Sequence, residues 1–164
     1  MDQGEREGRR VVGMMLRRDR AMVAVSIMLD VGFHAGRGSV VPAGDIAERL
    51  GEARRGIEPV LQALSRAGLL GSTRGPKGGY RLGRAARDIR LSEVVAAVSG
   101  GVGEDEAAEA AGSPLNEAVV VPLWAELEAG LAAILEQLTL AELLRRAAAQ
   151  GLRRPTPEAL NFAI

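Results

Sequence analysis

Arg54, Arg55, Glu58 and Gln62 follow one another at spacings of one, three and four residues, which on a helix places them on one side. They offer two forked guanidinium donors, a carboxylate acceptor and a side-chain amide. A guanidinium pairs bidentately with guanine O6/N7 or a phosphate, and a carboxylate accepts from cytosine N4. A second polar set lies in Arg74-Gly-Pro-Lys-Gly-Gly-Tyr-Arg-Leu82, where three glycines, one proline and three cations fall in nine residues. That composition predicts a tight, exposed, positively charged hairpin. Pro76 fixes one φ, and Gly75, Gly78 and Gly79 are free to take φ > 0. Arg74, Gly75 and Lys77 are its candidate contact residues, and Lys77 is the single lysine of the chain. Arg18 and Arg20 form a third set at the start of an apolar run, either touching phosphates or simply solvated.

Other chemistry is excluded by what the chain lacks. With no cysteine among 164 residues, disulfides, thiolate zinc sites and cysteine-ligated iron–sulfur clusters cannot form. His34 is the one histidine, so no multi-histidine metal site exists, and it is expected in an ordinary loop. Glu104, Asp105, Glu106 and Glu109 read as a solvated acidic segment, since calcium-loop spacing is missing. No nucleophile–base pair is visible, and Gly-Pro-Lys-Gly-Gly lacks P-loop spacing. Neither an enzyme nor a bound metal or cofactor is expected.

The net charge of zero conceals a division. Residues 37–90 carry eleven Lys/Arg against five Asp/Glu, while 91–144 carry ten acidic residues and no basic one. A basic half of this kind matches a polyanionic partner. Met1 to Arg10 is charged, so no secretory signal is expected, and the apolar run Ala21–Leu29 is too short to span a bilayer. A cytoplasmic protein without a membrane partner is expected.

The elements that must position these side chains follow from hydrophobic spacing. Ala21–Val31 predicts a helix apolar on nearly every face, buried between a domain core and a partner helix. Pro42 opens a helix with Ile46, Ala47 and Leu50 on its apolar face, and Gly51 ends it. A second helix from about 54 to 67 carries Ile57, Val60, Leu61, Leu64 and Ala67 at i, i+3, i+4, i+7 spacing, with an irregular start because of Pro59. Short helix, turn and amphipathic helix form a helix-turn-helix layout. Residues 69–73 and 79–82 are expected as the strands of a wing, and Val40-Val41 as a further short strand. A helix over 89–98 should bury Val94, Val95 and Val98. Pro114 opens a long helical segment that Pro122 either kinks or truly starts. Its stripe of Leu123, Leu127, Leu131, Ile134, Leu135 and Leu138, with Trp124 beside it, packs either on its own domain or, as we prefer, on a second copy. Thr139 with Glu142 predicts a capping box for a last helix ending near Gln150.

The wing motif Arg74–Leu82 resembles the RGPxGGYxL wing of the IscR-type (Rrf-two) family of bacterial winged-helix regulators. Leu29-Asp30, Asp45-Ile-Ala-Glu-Arg49, Leu64-Ser-Arg-Ala-Gly-Leu69, Leu123-Trp124 and Leu138-Thr-Leu-Ala-Glu-Leu143 support the resemblance. It implies a homodimeric transcription regulator on a roughly palindromic operator. Arg54, Arg55 and Glu58 would occupy recognition-helix positions, Arg74 would be the wing arginine suited to a narrow minor groove, and the leucine stripe would be the dimerisation helix. Three departures stand out. Val23 and Gly56 replace family aromatics, Ala118 and Val121 stand where cluster ligands would lie, and the cluster cysteines are missing.

The expected architecture is mainly α, a winged helix-turn-helix domain with a small two-stranded wing plus a long C-terminal dimerisation helix. Five segments are expected: a disordered arm over 1–13, the DNA-binding domain over 14–99, a linker over 100–113, the helical dimerisation region over 114–150 and a flexible tail over 151–164. The expected function is a homodimeric repressor that binds double-stranded DNA, with an unknown small-molecule or protein effector. The alternative is a protein-interaction or ligand-sensing module with little operator recognition.

Overall fold

The structure is a computed structural model that describes residues 18–99 and 113–155. The expected arm over 1–13, nearly all of the expected linker, its acidic residues Glu104 to Glu109, and the tail beyond residue 155 lie outside the described residues.

Helix α1 (Arg18–His34) is the centre of the fold because its apolar residues occupy most of its circumference. Ile27, Met28 and Val31 are completely buried. Their cover comes chiefly from α3 (Arg54–Arg66), α4 (Leu91–Ser99) and α6 (Leu140–Ala149) of the same chain, with the strand Gly79–Leu82 and the helix Ala43–Leu50 also packed on α1. The helix is thus buried against other helices of the same chain, with Met22 left 53% exposed. His34 is the last residue of α1 rather than a loop residue, and its Nδ1 lies 2.9 Å from the Asp30 carbonyl oxygen.

Helix α2 (Ala43–Leu50) starts from Pro42 and stops at Gly51, whose φ of 66° is the left-handed conformation of a helix C-cap. Helix α3 buries Ile57, Val60, Leu61 and Leu64, the spacing that its sequence predicts, whereas Ala67 is exposed just past its end. Pro59 is accommodated inside it. The expected irregular start is not seen: Gly56 N–H donates to the Ala53 carbonyl at 2.8 Å and Ile57 N–H shares that acceptor at 3.3 Å, as Asp45 and Ile46 share the Pro42 carbonyl at the start of α2. The helix then continues, and only the bond from a residue-59 N–H to the exposed Arg55 is missing.

Strands β1 (Leu70–Thr73) and β2 (Gly79–Leu82) pair antiparallel from Leu70↔Leu82 to Thr73↔Gly79. The expected short strand at Val40-Val41 is a single bridge from Val41 to Tyr80 on the free edge of β2. A 3-10 turn (Ala86–Asp88) leads into α4, which buries Leu91, Val94 and Val98. Val95 is only half-buried.

The long C-terminal segment is helical from residue 114. A π-helical stretch (Asn116–Val120) precedes α5 (Val121–Gln137), with Pro122 at its start. The wider π turn gives room for a proline that has no N–H to donate. Residues 121–130 are exposed throughout, and Leu131, Leu135 and Leu138 are half-buried. Thr139 Oγ1 accepts from Glu142 N–H at 3.3 Å, while the Glu142 carboxylate turns forward to Arg145 and Arg146. Only the Thr139 half of the expected capping box is therefore built. Asn116–Gln137 is long and apolar enough to cross a membrane, with a mean hydropathy of 1.7, a property the sequence reading did not assign to it.

Candidate nucleic-acid interface

Arg54 and Arg55 occupy the first two positions of α3, directly after Ala53 in extended conformation. Glu58 and Gln62 lie one and two turns further along the same exposed side, opposite the buried Ile57, Val60, Leu61 and Leu64. A helix N-terminus also directs free backbone N–H groups and a partial positive charge outward. The arrangement can therefore accept an anion end-on while presenting donors and one acceptor along its side.

The wing is held at both edges. On one edge β1 pairs with β2. On the other, Val41 N–H donates to the Tyr80 carbonyl and Tyr80 N–H to the Val41 carbonyl, both at 2.8 Å. The tip is a four-residue turn, Gly75–Gly78, closed by Gly78 N–H donating to the Gly75 carbonyl at 2.9 Å, with Pro76 at the position where its fixed φ fits. Of the three wing glycines only Gly75 has positive φ, at 113°. Gly78 and Gly79 are required for a different reason from the one expected. A Cβ on Gly78 would lie 2.2 Å from the Thr73 carbonyl oxygen, and one on Gly79 would lie 2.5 Å from that of Val41. Arg74 precedes this turn, Lys77 stands within it, and both are exposed.

The arginines divide into paired and free. Arg49 makes two 2.8 Å bonds to both carboxylate oxygens of Asp30, a nearly buried residue on α1. Those hydrogen bonds hold the Arg49 guanidinium above its already high ordinary pKa, against the effect of burial. Arg84 pairs with Glu93 at 2.8 Å, and Arg90 with Glu136 at 3.3 Å. The Glu93 carboxyl is pulled below its ordinary value, first by the Arg90 backbone N–H and then by the Arg84 side chain. By contrast, Arg54, Arg55, Arg74 and Lys77 have no side-chain partner among the described residues, and Glu58 pairs with neither Arg54 nor Gln62. Arg54, Arg55, Glu58, Arg74 and Lys77 are thus charged, exposed and unengaged among the described residues.

Of the N-terminal pair, Arg18 begins α1. Arg20 is exposed and lines a cleft of about 590 Å³ together with Met22, Ser26, Glu52 and Gly56, which brings it beside the start of α3. The Asp30–Arg49 link that fixes α2 to α1 was not picked out from charge and spacing. Its one local signal is a carboxylate at the end of an otherwise apolar run.

The residues do not fit a cysteine-ligated iron–sulfur cluster. The chain has no cysteine, Ala118 and Val121 are exposed on the long helical segment, and the described residues hold no group of three or more His, Asp or Glu.

A family model described as Rrf2, iron-dependent transcriptional regulator, matches residues 18–146. The HTH-type transcriptional regulator IscR of Vibrio atlanticus is 38% identical over 125 residues, covering 74% of this chain and 70% of that protein. Its namesake from Photobacterium profundum is 39% identical over 125 residues, covering 74% and 71%. Among solved structures, T. potens IscR superposes with a TM-score of 0.64 at 26% identity, over 84% of this chain and 91% of that one. The oxidised form of Staphylococcus aureus CymR shares the fold at 23% identity, with a TM-score of 0.60 over 77% and 93%.

Proposed function

The chain belongs to the Rrf2 family of transcriptional regulators, and from that premise we propose that it is a homodimeric repressor of a palindromic operator that works without an iron–sulfur cluster. DNA-binding transcription regulation is the function of the family, and the chain is not an enzyme. The observation that carries the finer reading is the set of unengaged cations at the start of α3 and the wing tip. In this reading Arg54 and Arg55 meet base edges or phosphates in the major groove, with Glu58 and Gln62 beside them. Arg74, Gly75 and Lys77 follow the adjacent backbone and minor groove, and Arg18 and Arg20 contact phosphates at the flank.

The dimer accounts for the exposed face of α5, where Leu123 is 47%, Trp124 41%, Leu127 44% and Ile134 59% exposed. Leu131, Leu135 and Leu138 continue the stripe toward the domain. A second copy would bury it symmetrically and duplicate the reading head. A bilayer is the poorer cover. Glu126, Glu128 and Glu136 stand on the same helix, and a carboxylate near the bilayer centre costs about 3 kcal/mol. Chromosomal DNA as partner places the protein in the cytoplasm.

Mobility shifts of fragments from the promoter of its own operon test this reading. The dimer should shift the promoter at concentrations well below those needed for random DNA of equal length. Equal affinity for both would overturn operator recognition. A second reading, a ligand-sensing module without operator recognition, draws on the cleft beside α3 and predicts that equal affinity, together with a bound small molecule or protein effector.

A further inference from the structure

The end of α5 carries an anion where a helix disfavours one. Glu136 lies in the last turn of α5, and no basic residue of that turn offsets it, although the carbonyl end of a helix is its negative pole. The compensation comes from the DNA-binding domain. Arg90, at the start of α4, donates from Nη1 to the Glu136 main-chain carbonyl at 2.6 Å, one of the carbonyls a helix end leaves unsatisfied. Its Nε lies 3.3 Å from Glu136 Oε1, and Ser92 Oγ donates to Glu136 Oε2 at 2.5 Å. Two backbone bonds lock the same place: Leu91 N–H to the Leu138 carbonyl and Leu140 N–H to the Ile89 carbonyl, both at 2.9 Å. Glu93 extends the network, accepting from Arg90 N–H at 3.0 Å and from Arg84, two residues beyond β2, at 2.8 Å.

Beyond this joint α5 is a lever with little support. Its first ten residues are exposed, and α4 is the main element of the domain that it touches. Seventeen helical residues span about 25 Å, so a tilt of about 10° at the joint moves the far end by about 4 Å. That displacement exceeds the ~3.4 Å rise of one base pair.

We infer that Arg90, Ser92 and Glu136 form a joint that sets the direction of the dimer helix relative to the reading head, and thereby which half-site separation the dimer accepts. The inference rests on the proposed operator-binding dimer. The three are positioning residues, and the partner whose geometry they select is a duplex with two half-sites at one fixed spacing. An exposed ion pair contributes little to stability, so a purely structural role would leave spacing preference unchanged.

The test uses the full-length protein with an operator series in which the half-site separation is shortened or lengthened by one base pair. Wild type should favour one spacing. Glu136→Gln and Arg90→Ala should flatten the series and lose about tenfold on the favoured spacing, because simultaneous engagement depends on geometry. In Glu136→Gln, affinity for random DNA and dimer mass should not change. Arg90→Lys should keep most of the preference, and Ser92→Ala should shift it in the same direction by less. A wild-type spacing profile in Glu136→Gln and Arg90→Ala overturns the joint.

A second measurement needs no DNA. Because the chain has no cysteine, spin labels on Ser72→Cys and Ala125→Cys report one wing-to-lever distance in dimers diluted with unlabelled protein. The distribution should broaden in Glu136→Gln, and an unchanged distribution also overturns the joint. If wild type prefers no operator, the functional reading fails while this distance still decides the joint.

Discussion

Asp30 is nearly buried, 9% exposed, on a helix of otherwise apolar core residues, and both its carboxylate oxygens are taken by Arg49. Removing the carboxylate would leave a guanidinium held against the core without its acceptor. Asp30→Ala should lower unfolding stability by about 2 kcal/mol, measured by urea denaturation, since Arg49 is 34% exposed and regains some hydration. Arg55 has no such partner, so Arg55→Ala should leave stability nearly unchanged. It should weaken operator binding by about 1–3 kcal/mol and relax preference at one half-site position, read from titrations of single-base operator variants. Glu93 supplies a pH dependence. Its carboxyl pKa is lowered by the Arg90 N–H and by Arg84, so its stabilisation is complete above the ordinary glutamate value of about 4.3 and fades as pH falls through the lowered value. The difference in unfolding midpoint between wild type and Glu93→Gln should therefore be constant near neutrality and close in acid. At this scale the charge clusters were legible in the sequence and the pairings were not. Asp30 and Arg49 are 19 residues apart, and Ser92 and Glu136 are 44 apart, separations that local spacing does not register.

Elements were legible wherever hydrophobic period and punctuation agreed. The buried set of α3 has the expected spacing, and Gly51 stops α2 as a left-handed cap. Helix α1 shows the limit of such reasoning. Its all-round apolarity called for complete cover, but no local pattern says whether the cover comes from the same chain. The wing glycines show another limit, because composition announces a turn without distinguishing φ from close approach. Gly79→Ala would drive a methyl group into the Val41 carbonyl, 2.5 Å away, and should part the wing from the start of α2. The expected loss is about 1–3 kcal/mol of stability, seen in thermal melts, with loss of operator affinity. Gly56→Ala meets nothing within 4 Å in a helical position, so it should stabilise by up to about 1 kcal/mol. The pair separates glycines required by contact from glycines merely tolerated.

Across the whole molecule, a domain with its own buried core carries a long helix whose apolar stripe is largely exposed. That stripe was visible in the sequence as leucines at helical spacing, while its exposure depends on α5 touching the domain chiefly through α4. Leu127→Asp should weaken self-association by about 2 kcal/mol or more per buried leucine and yield monomers by sedimentation, with α1 to α4 still folded. Such a monomer should keep weak binding to all DNA, through the charge of 37–90, and lose the operator. The most direct test of the central claim is a hydroxyl-radical footprint of the full-length protein on the promoter of its own operon, at about 0.15 M salt so that loosely held complexes dissociate. A dimer that reads DNA through the start of α3 and the wing should protect two dyad-related half-sites one helical turn, about 10 base pairs, or a multiple of it apart. Uniform cleavage, or protection of a single isolated patch, would contradict it.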